Sequence, residues 1–177
     1  TKQGVDGDMA ALVADMDGGK VGTLLIYDAN PAYDYFDAAK FSAALKRVKT
    51  TVSFNERMDE TTTLCKYVLP ANHFLESWGD AELKPGFFTM MQPTINPLFK
   101  TRQLQDTLLK WTGNTTAYHD YFKTYWTGKL GGEEGYEKAL MNGVVENATP
   151  AAAAVSFNGA KTAEASAAVS GQKKGGA

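Results

Sequence analysis

The spacing of apolar residues in the first part of the chain alternates between helical and strand-like patterns. Apolar side chains at roughly helical spacing predict a helix over 5–17. The run 23–27 is almost purely apolar and is bounded by turn residues, which predicts a short strand buried on both faces. Apolar residues at i, i+3, i+4 and i+7 then predict an amphipathic helix over 37–49, and the β-branched run 50–54 predicts a second strand.

A strand, a helix and a second strand with short connections favour a parallel pair with a right-handed crossover. A short helix over 57–65, capped near Asp59, and a third strand over 67–70 continue this pattern. We therefore predict an α/β fold, with an open, mostly parallel, doubly wound sheet that is flanked by helices.

The remainder of the chain is predicted to be loop, then helix, then tail. Glycines and prolines interrupt apolar residues over 73–97, which predicts a long surface loop with a hairpin around Pro85-Gly86. Helical periodicity returns in a C-terminal helical segment over 101–112, 117–129 and 133–142. The second of these helices carries an aromatic stripe that we expect to face the core: Tyr118, Tyr121, Phe122, Tyr125 and Trp126.

After Asn147 the composition shifts to alanine, serine, glycine and lysine. We expect 1–147 to form the α/β region and 148–177 to be a low-complexity tail, either a linker or the start of a following domain, with a brief strand-like run at 155–157. The chain begins at Thr1 without an initiator methionine or a signal-like segment, so we expect it to be part of a longer protein.

Composition narrows the classes of function. A hydrophobic share of 44% indicates a folded protein, and 18 basic and 20 acidic residues spread along the chain argue against a nucleic-acid binder. The longest apolar run, 22–27, is too short to cross a bilayer. The single cysteine, Cys65, excludes an internal disulfide framework, a four-cysteine zinc site and a cysteine-bound iron–sulfur cluster within these residues.

The end of the first strand, 28–31, is the strongest ligand-binding signal, because ligands collect at the carboxyl ends of parallel strands. Asn30 could hydrogen-bond an amide or a phosphate there, and Pro31 would stiffen the turn. No glycine fingerprint for a nucleotide or a dinucleotide is present, so a plain strand-to-helix turn is the favoured interpretation.

Other chemistry-bearing residues have structural interpretations that we prefer. Cys65 precedes an apolar strand and is expected to be a small buried side chain. His73 and Glu76 are spaced for a metal clip, but two ligands do not make a site, so we expect capping or interface contacts. The acidic pairs 59–60 and 133–134 are expected to be solvated helix starts. No catalytic residue and no metal site is predicted.

Several short motifs occur in a characteristic order: Leu-Leu-Ile-Tyr-Asp-Ala-Asn-Pro (24–31), Val-Ser-Phe (52–54) and Asp-Glu-Thr-Thr-Thr-Leu-Cys-Lys-Tyr-Val-Leu-Pro (59–70), followed by Glu76 and Gly79. Over about residues 20–112, their order and spacing resemble the large subunits of the molybdopterin oxidoreductase family. The segments 76–80, 91–99, 106–109 and 136–140 are most similar to the molybdopterin-like/iron–sulfur fusion subunit of alternative complex III.

This resemblance implies a protein that fuses a molybdopterin-enzyme-like half to a half with iron–sulfur clusters. It implies partners of two kinds, multihaem cytochrome c subunits and quinol-interacting integral membrane subunits, in a quinol-oxidising respiratory complex. It also implies a Tat-exported protein on the periplasmic side of the bacterial inner membrane. The molybdopterin-like half of such a protein has lost its cofactor, so we expect no cofactor in this chain.

The chain departs from the pattern of the active enzymes near the expected cofactor site. The usual Gly before Asn-Pro is missing where Asp28-Ala29 form the turn, and Lys66 stands where those enzymes carry an Asp. Asp28, Asn30, Pro31 and Lys66 are therefore expected to be vestiges of a cofactor site. The segment that would supply a molybdenum ligand lies outside these residues.

The resulting hypothesis is a non-catalytic scaffold in a quinol-oxidising complex, with no active site of its own. One alternative is a fragment of a catalytic, polysulfide-reductase-like molybdopterin enzyme in which Asn30 contacts the guanine dinucleotide. A free-standing Rossmann-type nucleotide-binding domain is less favoured, because the glycine fingerprint is absent.

Overall fold

The computed structural model describes residues 4–147 and 156–172. Its first sheet, sheet A, contains β1 (Thr23–Ile26), β2 (Thr50–Ser53) and β3 (Tyr67–Val68). The three strands are parallel and lie in the order β1-β2-β3. Leu25 pairs with Val52, and Val52 pairs with Tyr67. The strand–helix–strand prediction is confirmed.

Helices α1 (Asp6–Asp17), α2 (Pro31–Asp34) and α3 (Ala38–Leu45) belong to this half of the molecule. Asp37 caps α3 by accepting a hydrogen bond from the Lys40 backbone N–H. Apolar side chains of α1, α3 and β1 form one core together with Val48: Val13, Met16, Ile26, Phe41, Ala44 and Leu45.

The prediction that β1 is buried on both faces is wrong. Ile26 faces the α1–α3 core, whereas the side chain of Leu25, on the opposite face, is 45% exposed. The face of sheet A opposite α1 and α3 is covered by helix α4 (Leu104–Trp111), whose first residue packs on Val52 and Phe54. β1 lies at the edge of the sheet, away from α4. An α/β fold with helices on both faces of a parallel sheet is therefore confirmed.

The predicted helix over 57–65 is only one 3₁₀ turn, Thr62–Leu64. Asp59 accepts a hydrogen bond from the Thr62 backbone N–H at 2.7 Å, which confirms the predicted cap. Short polar side chains compete with the helix for backbone donors, and this explains why the helix is so short.

The segment predicted as a long loop contains most of a second, antiparallel sheet, sheet B. Strands β4 (Gly79–Lys84) and β5 (Phe87–Met91) form the predicted hairpin, in which Gly86 takes a positive φ of 78°. β5 also pairs with β6 (Val144–Glu146), which follows much later in the chain. The long-loop prediction was therefore wrong. Neighbouring residues in the sequence do not reveal that β5 pairs with β6, so the sheet could not be recognised from this segment.

Helices α5 (Tyr118–Lys129) and α6 (Glu133–Asn142) cover sheet B. Phe122 and Trp126 are buried in this second core, as predicted. Tyr121 and Tyr125 are 48% and 47% exposed, so this part of the predicted core stripe is wrong. Residues four apart on α5 face the sheet, and the covered stripe is too narrow to include their neighbours.

Part of the predicted tail is described by the structure. It contains helix α7 (Gly159–Gln172), and the residues before it, Ser156 and Phe157, are not in a strand. Val155 and the rest of 148–155 lie outside the described residues, so the boundary after 147 stays a prediction. In the described ranges, no helix is long and apolar enough to cross a membrane.

Candidate functional site

A cleft of about 700 Å³ lies at the carboxyl edge of sheet A. The loops that follow the three strands form one side of it, through residues 27–30, 54–57 and 71–72. The start of β4, residues 103–105 and Tyr118 form the other side. Open parallel sheets bind ligands at the carboxyl ends of their strands. The structure has a cleft at this location, where the sequence analysis placed its strongest ligand-binding signal.

Two asparagine side chains, each in a loop after a strand of sheet A, connect these loops by hydrogen bonds. Asn55, the second residue after β2, is buried and donates from Nδ2 to the Ala29 carbonyl oxygen and to Asp59 Oδ2, both at 2.8 Å. Asn30 Oδ1 accepts hydrogen bonds from the backbone N–H and the hydroxyl of Thr61, at 3.1 and 2.7 Å. We call Asn30, Asn55, Asp59 and Thr61 the polar bracket.

The remaining polar groups of the bracket are also paired. The Thr61 hydroxyl accepts a hydrogen bond from the Ala32 backbone N–H at 2.9 Å, and Asn30 Nδ2 donates to Glu60 Oε2 at 2.7 Å. Partial burial would by itself raise the pKa of Asp59, but hydrogen bonds from Thr62, Asn55 and Thr61 outweigh burial and lower that pKa. The amide of Asn30 is therefore committed to the protein, as the turn interpretation predicts.

Asp28 adopts a left-handed backbone conformation with φ of 51°. Glycine normally fills such positions because it has no Cβ, and aspartate is one of the few other residues that tolerate them. The turn therefore places a carboxylate at the cleft.

The four predicted vestigial residues do not share one place. Asp28 and Asn30 line the cleft, and Pro31 is the first residue of α2. Lys66 lies at the opposite edge of sheet A, where its Nζ donates to the carbonyl oxygens of Val48 and Lys49 at 3.0 and 2.6 Å. Lys66 directly precedes β3, and the amino ends of parallel strands lie together. Grouping Lys66 with the strand-end turn was wrong.

The other candidates have structural roles. Cys65 is half-buried, and burial raises the pKa of its thiol. His73 and Glu76 form a capping box: Leu75 N–H donates to His73 Nδ1, and His73 N–H donates to Glu76 Oε2. The buried Glu76 also accepts from Leu98 N–H at 3.0 Å. Within the described ranges, no three metal-ligating side chains come together.

Sequence reasoning missed several residues of the cleft. Asn55 closely follows a strand and could have been found by the same argument as Asn30. Asp80 and Tyr118 come from the second half of the chain, and no local pattern joins them to sheet A. Burial, with nearby Asp80, raises the pKa of Tyr118 to about 12, so this phenol remains protonated at neutral pH.

The cleft is strongly acidic. Its lining contains five carboxylates and, among the residues that the structure describes, one cationic side chain, that of Arg57. The carboxylates are those of Asp28, Asp34, Glu56, Asp59 and Asp80. Asp80 accepts a hydrogen bond from Trp126 Nε1 at 2.7 Å, which links the cleft to the second core.

Comparison with known proteins supports the family resemblance. No protein-family profile matches the chain. Over 90 residues, 49% of its length, the chain is 31% identical to the molybdopterin-binding-like subunit of menaquinone reductase from Nitratidesulfovibrio vulgaris strain Hildenborough. Its fold matches that of acetylene hydratase from Pelobacter acetylenicus, with a TM-score of 0.65 over 80% of the chain at 19% identity. The chain is molybdopterin oxidoreductase-like.

This molybdopterin oxidoreductase-like chain corresponds to a small share of both proteins. It spans 13% of the menaquinone reductase subunit and 21% of acetylene hydratase.

The cleft residues do not fit the anionic pyrophosphate of a pterin dinucleotide. Such a group needs backbone N–H groups, helix N-termini or cations close by. At the turn it would instead meet Asp28, and a like charge at about 4 Å costs on the order of 1–4 kcal/mol, depending on exposure. Lys66 lies at the other edge of the sheet, so its charge does not offset that of Asp28.

Proposed function

We propose that the chain is a non-catalytic scaffold region of the molybdopterin-like subunit of a quinol-oxidising respiratory complex of the alternative complex III type. The acidic cleft carries this proposal, because the place where a dinucleotide would bind presents five carboxylates and one guanidinium. The polar bracket supports it, since the Asn30 amide, which contacts the dinucleotide in the catalytic alternative, is bonded within the protein.

The similarity to a menaquinone reductase subunit supports a quinone-linked complex with several subunits. In the proposed assembly, iron–sulfur clusters lie in other parts of the full subunit. Multihaem cytochrome c subunits and quinol-interacting membrane subunits are its partners, on the periplasmic side of the inner membrane. The chain contributes shape and contacts to this assembly and binds no redox group.

Metal analysis of the native complex tests the proposal. The full-length subunit, tagged and purified with its partners from native membranes, is expected to contain iron but no stoichiometric molybdenum or tungsten by mass spectrometry. A catalytic molybdopterin enzyme purified from the same cells is the control for cofactor loss during preparation. About one molybdenum per subunit would refute the proposal and favour the catalytic reductase.

The partners are tested on the same sample. Haem staining and peptide mass spectrometry are expected to detect multihaem cytochrome c and integral membrane subunits that copurify in constant ratio. A subunit that purifies alone from gently solubilised membranes would contradict the scaffold role.

A further inference from the structure

The face of sheet A that α4 covers is only partly buried. Leu25, Val52 and Tyr67 pair in register across the three strands, so their side chains form one row on this face. Val52, in the middle, is buried where the first residue of α4 packs on it. Leu25 and Tyr67, on the two edge strands, are 45% and 58% exposed. The helix therefore covers the central strand and leaves both ends of the row open.

The open apolar surface extends along β3 and onto α4. Leu69 donates its backbone N–H to the Ser53 carbonyl oxygen at 2.9 Å, so it continues the strand and shares a face with Tyr67. Leu69 is exposed. The ring of Trp111, in the last turn of α4, lies 5.8 Å from that of Phe54 between centroids, yet Trp111 is 53% exposed. We call the exposed residues of this surface the open face: Leu25, Tyr67, Leu69 and Trp111.

A single helix is too narrow to cover this sheet. Neighbouring helices lie about 8–10 Å apart and neighbouring strands about 4.8 Å apart, so one helix covers roughly two strands. Sheet A has three strands, and in the described residues α4 is the helix that packs on this face. The uncovered part therefore has room for a neighbouring helix.

The chemistry of the open face indicates a permanent apolar cover. Its four side chains carry no charge, and parallel sheets of α/β proteins are covered by helices on both faces. Permanent contacts are also more apolar than the contacts of transient partners. Lys66, which precedes Tyr67, donates from Nζ to two backbone carbonyl oxygens. This ammonium group is committed to the protein, which argues against contact with an anionic membrane.

We propose that an amphipathic helix from a part of the full-length protein outside residues 1–177 packs on the open face beside α4. The chain spans 13% of the menaquinone reductase subunit and 21% of acetylene hydratase, so these proteins contain several times more residues. The apolar stripe of such a helix would bury the leucines and the aromatic rings. The proposal requires only that the chain belongs to a longer subunit, so it holds for the scaffold and for the catalytic alternative.

Hydroxyl-radical footprinting of the isolated full-length subunit, read by peptide mass spectrometry, tests whether the open face is covered. Trp126 and Tyr136 are the matched buried references, because they are 2% and 3% exposed. We expect Trp111 and Tyr67 to be oxidised within about threefold of these references, because the cover excludes solvent. On an uncovered face they should react at least about tenfold faster than the references.

A photoreactive side chain identifies the cover. In the full-length subunit, a benzophenone-bearing phenylalanine analogue replaces Tyr67, an aromatic residue at an exposed position. Irradiation is expected to cross-link it to a peptide of the same polypeptide outside residues 1–177. The same protein irradiated in urea is the control, and this cross-link should be absent there because the contact requires the folded subunit.

Three results overturn the proposal. The first is oxidation of Trp111 and Tyr67 at the faster rate in the full-length subunit. The second is protection that appears only with the partner subunits or only at high subunit concentration, which would assign the face to a partner or to a second copy. The third is a cross-link to a different polypeptide. Stoichiometric molybdenum in the native complex would refute the proposed function and leave this inference intact.

Discussion

Replacing Asn30 by alanine tests whether this amide belongs to the protein or to a ligand. The substitution removes the acceptor for the backbone N–H and the hydroxyl of Thr61, a fully buried residue. A buried polar group left without a partner costs about 1–3 kcal/mol, which gives about 2–6 kcal/mol for two groups. Asp59 also lies within reach of the Thr61 N–H, so we expect a loss of about 2–4 kcal/mol.

The assay is urea unfolding of the full chain, monitored by circular dichroism. The slope of the unfolding free energy against urea concentration should be the same for all variants. Glu60→Ala is the matched control, because it removes the exposed partner of Asn30 and leaves both bonds to Thr61. Its unfolding midpoint should equal that of the wild type.

A double-mutant cycle identifies the cause of the loss. Thr61→Val removes the hydroxyl that Asn30→Ala leaves without an acceptor, so the double variant should lose less stability than the sum of the single variants. An Asn30→Ala protein within about 0.5 kcal/mol of the wild type would refute the reasoning. It would also return the Asn30 amide to the ligand-contact alternative.

Three further predictions concern the second core, the turn and the response to acid. Trp126→Ala should cost about 3–5 kcal/mol in a denaturant melt, because its ring is buried, whereas Tyr125→Ala next to it should cost less than about 1 kcal/mol. A small Trp126 effect would show that α5 does not pack as described. Asp28→Val should be at least about 1 kcal/mol less stable than Asp28→Gly in the same melt, because φ is 51° at this residue, and equal stability would exclude strain there. The pKa of Asp59 is lower in the folded protein than in the unfolded chain, so its contribution to stability is present above about pH 4 and is lost as pH falls through the folded value. The stability difference between wild type and Asp59→Asn should therefore shrink on acidification, and a constant difference from pH 7 to about pH 2 would contradict the hydrogen-bonded carboxylate.

Much of the local structure could be predicted because it depends on neighbouring residues. The periodicities over 23–27, 37–49 and 50–54 place β1, α3 and β2, and the three later helices begin and end near their predicted positions. The turn at 28–31 was also predictable, because its residues favour turns and the end of a parallel strand is where it had to lie.

The arrangement of the site depended on contacts that local sequence does not encode. Asn55 joins Ala29 to Asp59, and Asp80 reaches the cleft from the other half of the chain. β6 completes sheet B by pairing with β5 across more than fifty residues of chain. Such pairings depend on which surfaces meet after the elements have formed.

The sequence by itself determined the kind of elements, the parallel connection of sheet A and the family resemblance, because hydrophobic periodicity and motif order are properties of the linear chain. Tertiary structure alone decided that Leu25 is exposed, that Lys66 lies opposite the turn and that carboxylates from both halves share one cleft. The physical reason is that burial and charge proximity depend on distances in space, which chain folding fixes and sequence separation does not.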